Sequence, residues 1–327
     1  MKILLTGGAG YIGSHASLAL LDGGHQVTII DDLSTGNKKL IPSYASFVEC
    51  NINETATVAE LIQKEKFDAL MHFAGFVQVE ESVHNPKKYF HNNTENAKIL
   101  FETCVQNNLT NIIFSSTAAV YGDPLDSAPI TETTTLKPLN PYGKSKIQTE
   151  KYLQNNKALN YVILRYFNVA GADPSMRSGL ISKEPTHLIK IASEAAVGKR
   201  KKVVIFGNDY STPDGTAIRD YIHVSDLADI HVKAAEHLVT NQQPTIVNCG
   251  YGRGFSVKDV LDIANTVNNK PIPTEMGNRR AGDSPMLVSN VSKLKQWLNW
   301  NPKHNDLSFI IKTAIEWERK LMEIDNA

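Results

Sequence analysis

Through the first half of the chain, short apolar runs alternate with stretches whose apolar positions recur at helical spacing. Ile3-Leu4-Leu5 forms the first run and stops at a glycine cluster; residues 12–23 follow with helical spacing. Gln26 to Ile30 is the next predicted strand and ends at Asp31-Asp32. Phe47 to Cys50 is a third strand, residues 57–66 a helix and Ala69 to Phe73 a fourth strand. A long helix is expected over 86–108, with Pro86 in its first turn. Ile112 to Phe114 is a fifth strand, 143–155 a helix and Tyr161 to Arg165 a sixth strand. Strict strand–helix alternation predicts an α/β fold: a doubly wound parallel sheet with helices on both faces.

The second half is less regular. Val203 to Phe206 and Thr245 to Asn248 read as strands, and 225–240, 256–268, 290–299 and 307–322 as helices. Pro and Gly are dense at 207–215 and 271–285, which predicts ordered loops. Without a repeat, a low-complexity tract or a flexible linker, the two parts are expected to pack closely around a cleft.

Composition narrows the partners. The 327 residues are 42% hydrophobic and 21% charged, enough to bury a large core plus a smaller one. Lys plus Arg equals Asp plus Glu at 34 each, so no net field favours nucleic acid or an anionic membrane. Cys50, Cys104 and Cys249 are odd in number and too far apart in sequence for a metal pair, so no metal is expected and a reducing, cytoplasmic setting is. No apolar run reaches membrane-spanning length, and Met1 leads into a strand, not a leader pattern.

The candidate chemistry begins at Gly7-Gly8-Ala9-Gly10-Tyr11-Ile12-Gly13. Glycines at Gly7, Gly10 and Gly13, directly after a strand and opening a helix, allow a tight turn and let a pyrophosphate reach free N–H groups at the helix start. Alone, such a spacing also suits a plain strand-to-helix turn. Asp31, closing the next strand roughly 20 residues on, stands where a carboxylate accepts from an adenosine ribose and repels a 2′-phosphate, favouring NAD over NADP. Tyr142 and Lys146, at i and i+4 near a predicted helix start, project from one face. A neighbouring cation lowers a phenol's pKa and makes it a usable base. Ser115-Ser116-Thr117 ends the fifth strand and Phe73-Ala74-Gly75 the fourth, both at the carboxyl edge where a doubly wound sheet binds its ligand.

Together and in this order, these elements resemble the extended short-chain dehydrogenase/reductase family over nearly the whole chain. Val120-Tyr121-Gly122-Asp123, Pro141 to Lys146, Arg165 to Asn168, Ile205 to Tyr210, Asp214-Gly215-Thr216, Arg219 to Val224 and Arg279-Arg280 with Gly282-Asp283 narrow the likeness to the UDP-glucose 4-epimerases. The resemblance implies Tyr142 as catalytic base and acid, Lys146 as its tuning partner and nicotinamide-ribose ligand, and Thr117 as the catalytic hydroxyl. It implies an NAD site that also draws on Asn51, Ile52, Phe73, Ala74, Gly75, Asn92, Ser115 and Tyr166. It assigns the UDP diphosphate to Asn168, Arg219 and Arg280, the uridine region to Phe206 and Tyr221, and the uridine ribose to Asp283. Phe167, His187 and Leu188 complete the implied substrate set. A dinucleotide-binding domain at 1–167 plus about 220–250, a UDP-sugar domain at about 168–219 and 251–327, and a homodimer built on the helices at 86–108 and 143–155 are implied as well.

The chain departs from the family at three places. Asn51 replaces an Asp that touches adenine; Val77 and Glu80 replace Lys and Gly; Leu287 occupies a position where bulk governs N-acetylated sugars and is itself of intermediate size. The expected reaction moves hydride from sugar C4 to NAD, rotates the 4-keto sugar and returns the hydride to its other face. A dehydratase or decarboxylase on the same scaffold is disfavoured because Ala118-Ala119 follow Thr117, where a dehydratase carries Asp-Glu. A simple dehydrogenase stays open, and a non-catalytic NAD sensor would not need Tyr142, Lys146 and Thr117.

Overall fold

β1 (Lys2–Thr6) runs into α1 (Tyr11–Asp22), then β2 (Gln26–Asp31), β3 (Ser46–Glu49), α2 (Thr55–Glu65) and β4 (Ala69–His72). The protein is described by a computed structural model over residues 1–124, 128–280 and 283–325. After β4 come α3 (Val79–His84), α4 (Pro86–Phe90), a π-helical turn over His91–Asn96, α5 (Ala97–Gln106), β5 (Asn111–Thr117), α6 (Pro141–Asn155) and β6 (Asn160–Tyr166). The rest comprises β7 (Asn168–Ala170), α7 (Leu188–Ala196), β8 (Val203–Phe206), β9 (Ile218–His223), α8 (Val224–Asn241), β10 (Thr245–Cys249), β11 (Gly254–Ser256), α9 (Val257–Asn268), β12 (Thr274–Gly277), β13 (Met286–Leu287), α10 (Ser292–Leu298) and α11 (Leu307–Asp325).

Seven strands form one sheet in the order β3-β2-β1-β4-β5-β6-β10, with every neighbour parallel. The expected doubly wound sheet is present. Successive side chains of β1 point to opposite faces. Ile3 and Leu5 join a core with Ala16 and Leu20 of α1 and Leu227 and Ile230 of α8. Leu4 faces a second core with Val58 and Ile62 of α2 and Leu100 and Phe101 of α5. Chain order reverses between β1 and β4, so the loops beyond their carboxyl ends diverge and leave a crevice there.

The second group centres on β9, which pairs antiparallel with β11 and parallel with β7 and β13; β8 and β12 form a separate parallel pair. α9 starts on a full capping box between Ser256 and Asp259. Buried Asp220 ties this group together, accepting from the backbone N–H groups of Tyr251, Gly252 and Ser289.

One expected element differs. The helix over 86–108 is broken into α4, the π turn and α5. π turns insert an extra residue and tend to occur at functional sites, because they re-aim side chains. Here the turn presents Asn93 and Thr94 to α6.

Candidate functional site

Residues from five strand ends meet over the crevice. The glycine turn is shaped by contact as well as by φ. Gly7 has φ +74°, and a Cβ there would stand 2.6 Å from the Ala74 backbone nitrogen. A Cβ on Gly13 would overlap the Gly7 carbonyl, coming within 2.9 Å of its carbon. The turn therefore holds α1, β1 and the strand-end loop at Ala74 in backbone contact. α1 begins after Gly10 without a side-chain cap, so its first N–H groups remain available to an anion.

Asp31 is buried and braces this turn: its carboxylate accepts from Ala9 N–H at 3.0 Å and Leu33 N–H at 2.9 Å. Burial raises its pKa, while the Leu33 and Ala9 bonds draw it back. Each oxygen keeps a lone pair for a ribose hydroxyl. The neighbouring Asp32 is exposed and accepts from Asn51 Nδ2 at 2.7 Å. Asn51 Oδ1 takes the Asn53 N–H at 3.2 Å, so the side chain that replaces the family Asp is anchored at both ends. Ile52 is buried beside it.

α6 starts on an Asn140 side-chain cap, with Pro141 at its first position, which fixes the entry of Tyr142. Tyr142 and Lys146 are both buried, not an exposed helix pair. Lys146 Nζ donates to the Ser115 carbonyl at 2.8 Å and lies 4.9 Å above the Phe114 ring. Burial pushes its pKa down to about 8, against a partial restoring effect of Glu150. The expectation that Lys146 lowers the Tyr142 pKa needs correction. Burial carries that phenol above its ordinary value, and the opposing pull is a hydrogen bond with Thr117. The ammonium gives one N–H to the Ser115 carbonyl, and desolvation dominates a ring closed in this fully. Thr117, at the end of β5, also caps the following turn by accepting from Ala119 N–H at 3.2 Å.

Two polar networks support this centre, and their hubs, Asn93 and Glu150, lie outside the residues expected from sequence. Asn92, which is expected to bind cofactor, donates to its neighbour Asn93, and Asn93 is the hub. Its side chain accepts from Phe76 N–H at 2.9 Å and donates to the Phe76 carbonyl and Ser145 Oγ. It thereby locks the Phe73-Ala74-Gly75 loop against α6. Below Thr117, buried Glu150 pairs with Arg165 through Oε1–Nε at 3.0 Å and Oε2–NH2 at 2.6 Å, and accepts from Ser116 Oγ at 2.5 Å. Glu150 continues the Tyr142–Lys146 stripe by one further i+4 step, the one sequence signal that marks it. Tyr166 closes β6, but its hydroxyl bonds His231 of α8. Burial raises its pKa well above the ordinary value.

Across the crevice, Tyr11, Asn168, His187, Leu188 and Tyr221 line a single cavity. This cavity joins the glycine turn, through Tyr11, to β7, β9 and the start of α7. Tyr11 Oη donates to the Gly171 carbonyl at 2.6 Å, and Asn168 and Tyr221 are register partners on β7 and β9. Phe167 packs with Ala118, Val120 and Tyr121, and Leu287 lies against this cluster. Phe206 is 36% exposed, with the Arg280 guanidinium 3.9 Å over its ring. Arg219 donates to the Ile218 carbonyl at 2.8 Å. Neither Arg219 nor Arg280 forms an ion pair among the described residues, which leaves both charges for an anion. Asp283 is exposed, while Gly282, named with it in the sequence, lies outside the described residues.

A profile of the NAD dependent epimerase/dehydratase family matches residues 3–250. The chain belongs to that family. It is 47% identical over 323 residues to a UDP-glucose 4-epimerase of Azospirillum brasilense, covering 98% of this chain and 92% of that protein. A crystal structure of UDP-glucose 4-epimerase from Brucella ovis in complex with NAD superposes with TM-score 0.93 at 39% identity, covering 96% of this chain and 97% of that one. The enzyme from Bifidobacterium longum in complex with NAD+ and UDP gives TM-score 0.92 at 33% identity, over 98% of each chain. This family assignment agrees with the resemblance, the fold and the dinucleotide turn inferred above.

Proposed function

We propose that this protein is a UDP-glucose 4-epimerase that interconverts UDP-galactose and UDP-glucose with NAD held in the crevice. The observation that supports the reading most is the hydrogen bond between Thr117, at the end of β5, and the buried Tyr142 phenol, with buried Lys146 one turn further along α6 and the glycine turn at the end of β1 in the same sheet. The residues fit NAD: the backbone cradle of Gly7 and Gly13 excludes a side chain, the start of α1 is uncapped, and buried Asp31 retains acceptor capacity for a ribose.

When bound, NAD supplies reversible acceptance of hydride from sugar C4. The chain's own residues do the rest. Tyr142 takes the proton of the 4-hydroxyl and returns it after the sugar has turned over. Thr117 hydrogen-bonds the same oxygen and eases the phenol toward its ionised form. Lys146 orients the nicotinamide ribose and ties that site to the β5 end through Ser115. Asn168, Arg219 and Arg280 grip the diphosphate, Phe206 and Tyr221 the uridine, and Asp283 its ribose, with Arg offering bidentate contacts that persist at any pH. Binding concentrated on the nucleotide leaves the hexose free to turn.

The domain division at 1–167 plus about 220–250 and at 168–219 plus 251–327 belongs to the same proposal. So does a homodimer through the helices at 86–108 and 143–155. A cytoplasmic setting is supported by three free, buried cysteines. No helix among the described residues is long and apolar enough to cross a membrane.

The test is incubation with UDP-galactose, with and without added NAD, followed by NMR of the products. UDP-glucose appearing without stoichiometric NADH is the expected result. Accumulating free NADH would establish a dehydrogenase instead. Tyr142→Phe should lose at least about a thousandfold in kcat, in line with removal of the essential proton carrier, and retain UDP binding; preserved turnover would remove Tyr142 from its role.

A further inference from the structure

The Tyr142 ring is held by a residue that the chemistry above leaves without a role. Tyr89 of α4 is completely buried, and its ring stands nearly perpendicular to that of Tyr142, with centroids 6.4 Å apart and planes at 77°. Aromatic pairs favour this arrangement. The Phe76 ring also packs against Tyr89, at 5.9 Å. The Tyr89 hydroxyl donates to Glu81 Oε2 at 2.8 Å, which pins its far end to α3. Lys88 Nζ donates to the other oxygen of Glu81 at 2.5 Å and lies 4.0 Å over the Phe76 ring. Phe76 is fixed in turn, its N–H donating to Asn93 Oδ1 at 2.9 Å.

Tyr142 is otherwise held only at its two ends. Its carbonyl accepts from Ser145 Oγ at 2.7 Å, and its hydroxyl bonds Thr117. The outer torsion of a tyrosine is broad, and a bond at the hydroxyl lies on the axis about which the ring turns. Neither end contact therefore sets the plane of the ring, and the perpendicular neighbour does. Tyr89 itself is no proton carrier at neutral pH. Burial and the bond to Glu81 raise its pKa far above the ordinary value, and its proton points at Glu81, away from any reacting group.

We propose that Tyr89 is a positioning residue for the proton transfer, its ring fixing the plane of the Tyr142 ring and walling water from the phenol. This rests on the reading of Tyr142 as the proton carrier. The test compares the full-length protein with Tyr89→Leu and Tyr89→Phe in UDP-galactose turnover, pH–rate profiles, calorimetric titration with UDP and thermal melts. Leu removes the ring; Phe keeps it and loses only the hydroxyl. Where Leu gives no cooperative melt, Tyr89→Met takes its place, filling the slot with a flexible chain that has no ring plane. The ring-less variant should lose at least about tenfold in kcat, within the cost of loosened geometry at a reacting centre. Its KM and UDP affinity should stay within about twofold, and Phe should hold kcat within about threefold of the parent. The acid limb of kcat/KM should move to lower pH in the ring-less variant, because burial holds the Tyr142 pKa up and water beside the phenol relieves it. The other titratable groups nearby are unchanged by the substitution: Tyr166 of β6, Lys146 one turn along α6, and Glu81 and Lys88 behind Tyr89. A ring-less variant with kcat within about threefold of the parent, or with an unmoved acid limb, would overturn the proposal. So would a Phe variant as slow as the ring-less one, which would place the effect in the hydroxyl. An equal loss of kcat and UDP affinity would overturn it by showing a disturbed cleft. Retained turnover in Tyr142→Phe would instead overturn the reading of Tyr142.

Discussion

Replacing Glu150 by Gln isolates the electrostatics under the reacting centre. Glu150 is fully buried and its carboxylate engages Arg165 through two bonds, at 3.0 and 2.6 Å, with Ser116 on the same oxygen as the first. The amide keeps the size and one acceptor but leaves Arg165 as a buried cation supported by the Tyr121 hydroxyl at 2.9 Å and the Glu132 carbonyl at 3.3 Å. Breaking a buried pair by neutralising one partner costs about 3–5 kcal/mol, and the surviving acceptors place this case near 3. With an unfolding entropy of about 2 cal/mol/K per residue, a chain of this length loses about 4 °C in melting temperature. Glu150 also supports the protonated form of Lys146. The alkaline limb of kcat/KM should therefore move to lower pH in the variant. Differential scanning calorimetry and a pH–rate profile read the two effects. A Tm change below about 1 °C would refute the stability argument, and an unmoved alkaline limb would refute the link to Lys146. The paired change Glu150→Leu with Arg165→Met should recover most of the lost stability, because it removes both charges together.

The remaining predictions concern the cradle and the buried amine. Gly13→Ala forces α1 away from the Gly7 carbonyl and should weaken NAD binding by about a hundredfold, roughly 3 kcal/mol; fluorescence titration finding a change under threefold would show that the turn tolerates the methyl. Lys146 has its pKa lowered from 10.5 to about 8 by burial, so below pH 8 the folded state bears the cost of a buried cation. That cost disappears as pH rises toward 10.5, where the unfolded chain also releases the proton. Lys146→Met should therefore abolish turnover yet stabilise the ligand-free protein by roughly 2 kcal/mol at neutral pH, after allowance for the lost Ser115 bond. The gain should fade across the alkaline range, and a melting profile with no gain at pH 7 would contradict it.

The sequence by itself determined the doubly wound sheet, the glycine turn, Asp31 and the Tyr142–Lys146 pair. All are local: an apolar run, a helical period, a glycine where no side chain fits, and two residues one turn apart are written within about 20 consecutive positions. The strands β7, β9, β11, β12 and β13 and helix α7 were not legible, because each is short and owes its form to pairing or packing across the chain. The break of the long helix into a π turn is likewise invisible in its apolar spacing. Only the tertiary structure decided that Asn93 clamps the strand-end loop to α6. It alone joined Glu150 to Arg165 across β6, and it set the Tyr142 phenol above its ordinary value, where sequence spacing predicts a lowering by Lys146. Desolvation and hydrogen-bond partners depend on everything folded around a group, so proximity along one helix cannot fix them.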